Sequence, residues 1–254
     1  MSTPLWRGVA VALVTLFDAD REVDAGATAR HAARLVDLGV RAVLVGGSTG
    51  ESEALTDAEL CDLVAAVREA CPGVPVLAGA GGPWTRPATV RAAAAVKAGA
   101  DAVLVPPPRR GTDLPAFYGA VAEAVAPATV LAYHLPGVAG GEVPVDALAA
   151  LPVHGLKDST GDAERLLAEL AVWDRPTYTG SSALVAYAGQ LGAAGAILAA
   201  ANVAPEDSVA AFDGDAAAQH RLLGPHLAIR QRFPHGLKAA VAERFGTAVH
   251  VRLG

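Results

Sequence analysis

One arrangement recurs along this chain and restricts its fold more than any other feature. A helical stretch ends at a glycine, one or two residues follow, and a short apolar run then opens into a polar loop. Leu38-Gly39-Val40-Arg41 leads into Ala42–Val45, Ala98-Gly99-Ala100-Asp101 into Ala102–Val105, and Leu191-Gly192-Ala193-Ala194 into Gly195–Leu198. Each glycine suits the position just past a helix C-terminus, and each apolar run suits a parallel strand buried on both faces. The repeat therefore spells βα units. Extended along the chain, it predicts strands near 8–14, 41–46, 75–79, 101–105, 129–133, 153–157, 176–180 and 195–199. Helices are predicted near 25–38, 57–70, 86–98, 113–126, 145–151, 162–173, 182–191 and 205–213. Eight strands alternating with eight helices over short connections give a (β/α)8 TIM barrel of ordinary length. An open doubly wound sheet is the competing solution, but no GxGxxG fingerprint follows the first strand. The barrel is expected over 1–213, with 214–254 a short helical extension, two helices within 215–246, packed on its outside as part of one unit.

Composition removes several functions. With 52% hydrophobic residues and positive mean hydropathy, the chain can build a large core. A net charge of −6 without a Lys/Arg run argues against a nucleic-acid partner. Cys61 and Cys71, ten residues apart and read onto one helix, suit neither a disulfide nor a metal site, and the seven histidines form no ligand cluster. No metal or cofactor is expected. Met1–Arg7 lacks the apolar core of a secretion signal, and no apolar run reaches membrane length. These features read as a cytoplasmic protein with no membrane partner.

Chemistry in a barrel of this kind sits on the loops after the strands. The sixth strand ends at Gly155-Leu156-Lys157-Asp158, and lysines are scarce, three among 20 basic residues. Lys97 suits the last turn of a helix, and Lys238 falls on a C-terminal amphipathic helix. Lys157 alone stands where a buried strand would end. A desolvated amine there can attack a carbonyl and form a Schiff base, or its stem can simply carry the charge out to water. The second strand runs into Gly46-Gly47-Ser48-Thr49-Gly50-Glu51-Ser52, a loop that could hold a carboxylate or merely turn tightly. The fifth ends at Tyr133-His134-Leu135-Pro136, where a phenol can pass a proton or fill the core. The seventh ends at Thr179-Gly180-Ser181-Ser182, with either serine placed to cap the next helix.

Taken together and in order, several of these motifs resemble one family, the N-acetylneuraminate lyase and dihydrodipicolinate synthase group of class I aldolases. The matching residues are Gly47-Ser48-Thr49-Gly50-Glu51, Tyr133 with Pro136, Gly155-Leu156-Lys157-Asp158, Gly180, Leu191-Gly192, Gly195-Ala196-Ile197 and Asn202-Val203 with Pro205. The resemblance implies that Lys157 forms the imine with pyruvate or a longer 2-oxo acid and that Ser48 and Thr49 hold its carboxylate. It implies that Tyr133 relays a proton at C4 and that the Gly180 and Ile197 backbones line the pocket. A protonated imine is itself an electron sink, so no cofactor is needed.

Two departures bear on substrate. Val138 stands where dihydrodipicolinate synthases carry an arginine for their second substrate, and Pro108 where they carry a relay tyrosine from across a subunit interface. Arg109 and Arg110 could bind an acidic substrate tail or stay in water. The chain also stops soon after Arg252, earlier than is usual in the family, which shortens the last helix. The leading expectation is an aldolase cleaving a 2-keto-3-deoxy sugar acid to pyruvate and an aldehyde, as a dimer or tetramer. A dehydratase on a similar acid, dihydrodipicolinate synthase itself, and a non-catalytic 2-oxo-acid-binding homologue are the alternatives.

Overall fold

Alternation along eight short strands decides where the rest of the molecule packs. The computed structural model describes residues 3–110 and 113–253; Met1 and Gly254, the outer bounds of the two predicted ranges, lie outside the described residues. The strands are β1 (Gly8–Ala12), β2 (Ala42–Val45), β3 (Val76–Gly79), β4 (Ala102–Val105), β5 (Thr129–His134), β6 (Gly155–Asp158), β7 (Thr177–Thr179) and β8 (Gly195–Leu198). Each pairs in parallel with the next, and β8 returns to β1, closing a (β/α)8 barrel with no free edge. Side chains at Ala10, Ala42, Leu44, Leu77, Leu104, Leu131, Tyr133, Tyr178 and Ile197 fill the interior. Their neighbours Val9, Val11, Val43, Val45, Val103 and Val130 face outward and pack under the helices. A two-residue period with both faces apolar is what a parallel strand covered on both sides requires.

The helices are α1 (Ala25–Asp37), α2 (Asp57–Ala70), α3 (Thr85–Lys97), α4 (Leu114–Val125), α5 (Ala163–Val172), α6 (Val185–Gln190), α7 (Pro205–Phe212), α8 (Ala216–Arg221), α9 (Leu223–Gln231) and α10 (His235–Phe245). Asp24, Thr56, Asp113, Asp162 and Asp215 accept N–H bonds at the starts of α1, α2, α4, α5 and α8. Gly39, Gly99 and Gly192 follow three of the helices with φ of 101°, 113° and 81°. That is the left-handed turn the sequence repeat implied.

Two expectations are corrected. The helix predicted over 145–151 is a single 3-10 turn, Leu148–Ala150, held by i to i−3 bonds such as Leu151 N–H to Leu148 C=O. Pro152 follows directly, and it drives Leu151 into extended backbone (φ −73°, ψ 133°), which stops the turn there. The extension holds three helices rather than two. Pro225 has no N–H to donate to Arg221 and Pro234 none for Arg230, so the helical run restarts twice. Leu237 and Val241 of α10 then pack on Val14 and Leu16 at the mouth of the barrel.

Candidate active site

Strand register assembles the site. Tyr133 is paired with Lys157, and Lys157 with Tyr178, so three side chains meet in one interior layer. Lys157 is 4% exposed and its Nζ lies 4.6 Å from the centroid of the Tyr133 ring. Among the described residues no carboxylate comes within ion-pair distance of it. Burial lowers the Lys157 pKa, and the neighbouring Tyr133 opposes that only in part. Gly180 lies beside it, and a methyl group there would collide with Ser159 Oγ and touch Lys157 Cε at 3.0 Å. The glycine therefore keeps free the space into which the lysine extends.

The next residue faces the other way. Asp158 points out of the barrel, accepting from Thr160 N at 2.6 Å and pairing with Arg165 Nε at 3.0 Å. Arg165 also meets the fully buried Glu169 at 2.8 Å. Burial pushes Glu169 up to about 8, with Asp158 adding to it and Arg165 opposing. His134, whose Nδ1 accepts from Val143 N, is lowered by burial and then by Arg165. This cluster braces the β5–β6 ends from outside and leaves Lys157 alone inside.

The loop after β2 forms two 3-10 turns, Ser48–Gly50 and Ser52–Ala54. Ser48 and Thr49 open the first, so their N–H groups have no partner within it. Thr15 Oγ1 donates to Gly50 C=O at 2.7 Å and ties the loop to β1. Between the turns Glu51 adopts φ 57°, a conformation a non-glycine residue holds only under restraint. The restraint comes from the extension. Glu51 Oε1 is 2.5 Å from Lys238 Nζ, and Oε2 accepts from Arg252 N and Leu253 N at 2.8 Å each. Lys238 Nζ also donates to His250 C=O at 2.7 Å, and it lies 4.2 Å from the centroid of the Phe17 ring. Lys238, on the C-terminal helix α10, is thus 1% exposed. No local feature of the sequence pointed to this clamp.

A cavity of about 530 Å³ opens at the strand C-termini. Of the predicted site residues, Ser48, Tyr133 and Arg109 line it, while Thr49, Lys157, Gly180 and Ile197 do not reach its surface. Arg109 is already occupied. Its Nη1 donates to Gly137 C=O at 2.9 Å, and its Nη2 donates to Val138 C=O at 2.6 Å and meets Glu53 at 3.3 Å. Pro108 is buried and off the cavity, whereas Val138 lines it. Phe233 and Leu253, which sequence reasoning passed over, supply part of its wall. Neither serine after β7 caps α6 at its N-cap, Leu184: Ser182 Oγ meets His226 Nδ1 at 2.8 Å and Ser181 Oγ accepts from Ala183 N.

A model of the dihydrodipicolinate synthetase family matches residues 5–242. The chain belongs to that family. Its members are lyases, and the curated relatives agree. An uncharacterized DapA-like lyase of Halobacterium salinarum is 39% identical over 81% of this chain and 71% of its own. A 4-hydroxy-tetrahydrodipicolinate synthase of Synechococcus is 36% identical over 79% of this chain and 70% of its own. Among solved structures, a dihydrodipicolinate synthase from Acinetobacter baumannii complexed with pyruvate superposes with TM-score 0.89. It is 26% identical, covering 97% of this chain and 91% of that one. Among the described residues no helix is long and apolar enough to cross a membrane, and no group of three or more His, Cys, Asp or Glu gathers as metal ligands.

Proposed function

We propose that this protein is a class I aldolase in which Lys157 forms a Schiff base with pyruvate or a longer 2-oxo acid. The observation that carries the reading is the buried, unpaired amine against the Tyr133 ring. A lowered pKa leaves more of that amine neutral near pH 7, and only the neutral amine attacks a ketone. Attack and loss of water give a protonated imine, which draws electrons from the C3–C4 bond. Cleavage releases an aldehyde and leaves an enamine; protonation at C3 and hydrolysis free pyruvate. In the reverse direction the enamine carbon attacks an aldehyde. Tyr133 is assigned to the oxygen at C4, which loses its proton in cleavage and gains one in condensation. Ser48 and Thr49 hold the substrate carboxylate by hydroxyl and N–H, and Gly180 and Ile197 shape the space around the imine. The pyruvate found with family members supports pyruvate as the common half of the substrate. A cytoplasmic dimer or tetramer is the expected setting.

A second reading, 4-hydroxy-tetrahydrodipicolinate synthase, is favoured by the curated relatives that carry that name. Against it stand Val138 in place of the expected arginine and the commitment of Arg109 to Gly137, Val138 and Glu53. The test is borohydride trapping with pyruvate, read by intact mass and peptide mapping. A reduced adduct on Lys157 is expected, absent in Lys157→Ala. No adduct, or one on Lys97 or Lys238, overturns the aldolase reading.

A further inference from the structure

The chemistry of the cavity wall beyond Tyr133 specifies the other half of the substrate. Resting on the aldolase reading, we propose that the aldehyde handled here is apolar, aryl or alkyl, and not a polyhydroxylated or anionic one. Ser48 and Tyr133 are the polar groups at the reacting end. Beyond them the large side chains of the wall are Leu104, Pro106, Pro107, Val138, Phe233 and Leu253, set among the Gly46–Gly47, Gly79–Gly82 and Gly140 backbones and Ser52.

Arg109, Glu53 and Arg110, charged side chains on the lining, are occupied or wet. Arg109 is spent on two carbonyls and Glu53. Arg91 donates to Ser52 C=O at 3.3 Å and pairs with Asp57 at 3.4 Å, while its Nε is buried without a partner. Arg110 stands exposed at the rim, where water screens its charge. A sugar-acid tail would bring several hydroxyls against prolines and aliphatic side chains, and a buried hydroxyl without a partner is strongly disfavoured. An aryl group loses nothing there, and stacking on proline and phenylalanine suits it. The volume, about 530 Å³, lies within the range of pockets that enclose molecules of this size.

Two of the six wall residues come from the extension, and the wall is fixed rather than draped. Leu253 is held through its own N–H by Glu51, in the loop that also carries Ser48 and Thr49. The loop assigned to the carboxylate is thus tied to Leu253, and Leu253 and Phe233 are specificity determinants of this chain.

The experiment measures initial condensation rates of the full chain with pyruvate and benzaldehyde, glyceraldehyde or succinic semialdehyde at equal concentrations. Product is read by mass spectrometry, with the pyruvate adduct trapped in parallel. Benzaldehyde is expected to react at least tenfold faster than either other aldehyde, and Phe233→Ser should shrink that ratio. An adduct on Lys157 with glyceraldehyde or succinic semialdehyde equal or faster overturns this inference and leaves the aldolase standing. An unchanged ratio in Phe233→Ser overturns the assignment of the wall. No adduct at all overturns both.

Discussion

Lys157 and Lys238 are sealed from water to the same degree, 4% and 1% exposed, and burial lowers the pKa of both. Each also lies over an aromatic ring, Tyr133 for one and Phe17 for the other. What separates them is charge. Lys238 has Glu51 at 2.5 Å and a backbone carbonyl at 2.7 Å, so its cation is matched. Lys157 faces no anion among the described residues. A matched buried cation belongs to architecture; a buried amine that faces no anion and has a lowered pKa marks a candidate functional site.

The same substitution at the two positions should therefore act in opposite ways, which is the largest effect to look for. Lys157→Met removes the trappable pyruvate adduct completely, yet urea denaturation should show equal stability or a gain of about 1 kcal/mol, as for other strained functional groups. Lys238→Met should lose about 3–5 kcal/mol by leaving Glu51 buried without its cation. Similar losses at both positions would break the comparison. Next comes Tyr133→Phe, which keeps the ring under Lys157 but removes the phenol. It should still form the adduct while aldehyde turnover falls about 10²–10⁴-fold in single-turnover assays.

A double-mutant cycle sharpens the architectural half. Glu51→Gln keeps an oxygen for the Arg252 and Leu253 N–H groups and removes the charge, so combined with Lys238→Met it should recover about 1–3 kcal/mol as coupling energy. Purely additive losses would mean that the pair is not a unit. The smallest effect concerns Glu169, the buried acid behind Lys157. Its folded pKa of about 8 exceeds the ordinary 4.5, so the folded state keeps a proton that the unfolded state has released. Its contribution is full below about pH 4.5 and lost as pH rises to about 8. In Glu169→Gln the fall in melting temperature across that interval should flatten. An unchanged slope would mean that Glu169 is ionised in the fold.

The barrel was legible because its signals are local and repeated. The glycines at 39, 99 and 192 and the four-residue apolar runs after them recur with little variation. Lys157 was legible because a lone lysine interrupts such a run. The helix expected over 145–151 failed for a local reason too, Pro152 forcing Leu151 out of the helical region. The clamp was illegible for the opposite reason. Nothing near Glu51 announces a partner at Lys238 or Arg252, and the contact exists only once the barrel has closed. Arg109 belongs to the same class, since its charge invited a ligand while the carbonyls that occupy it come from the Gly137–Val138 turn.

That clamp has a consequence for synthesis on the ribosome. Glu51 emerges early, and the N–H groups that complete its grip belong to residues 201 and 202 positions downstream. At about 5–20 residues per second, roughly 10–40 s separate the two events. Throughout that interval the Ser48–Gly50 turn lacks its anchor and the cavity lacks one wall. A nascent chain therefore carries the buried-lysine strand before it carries the segment that finishes the cavity.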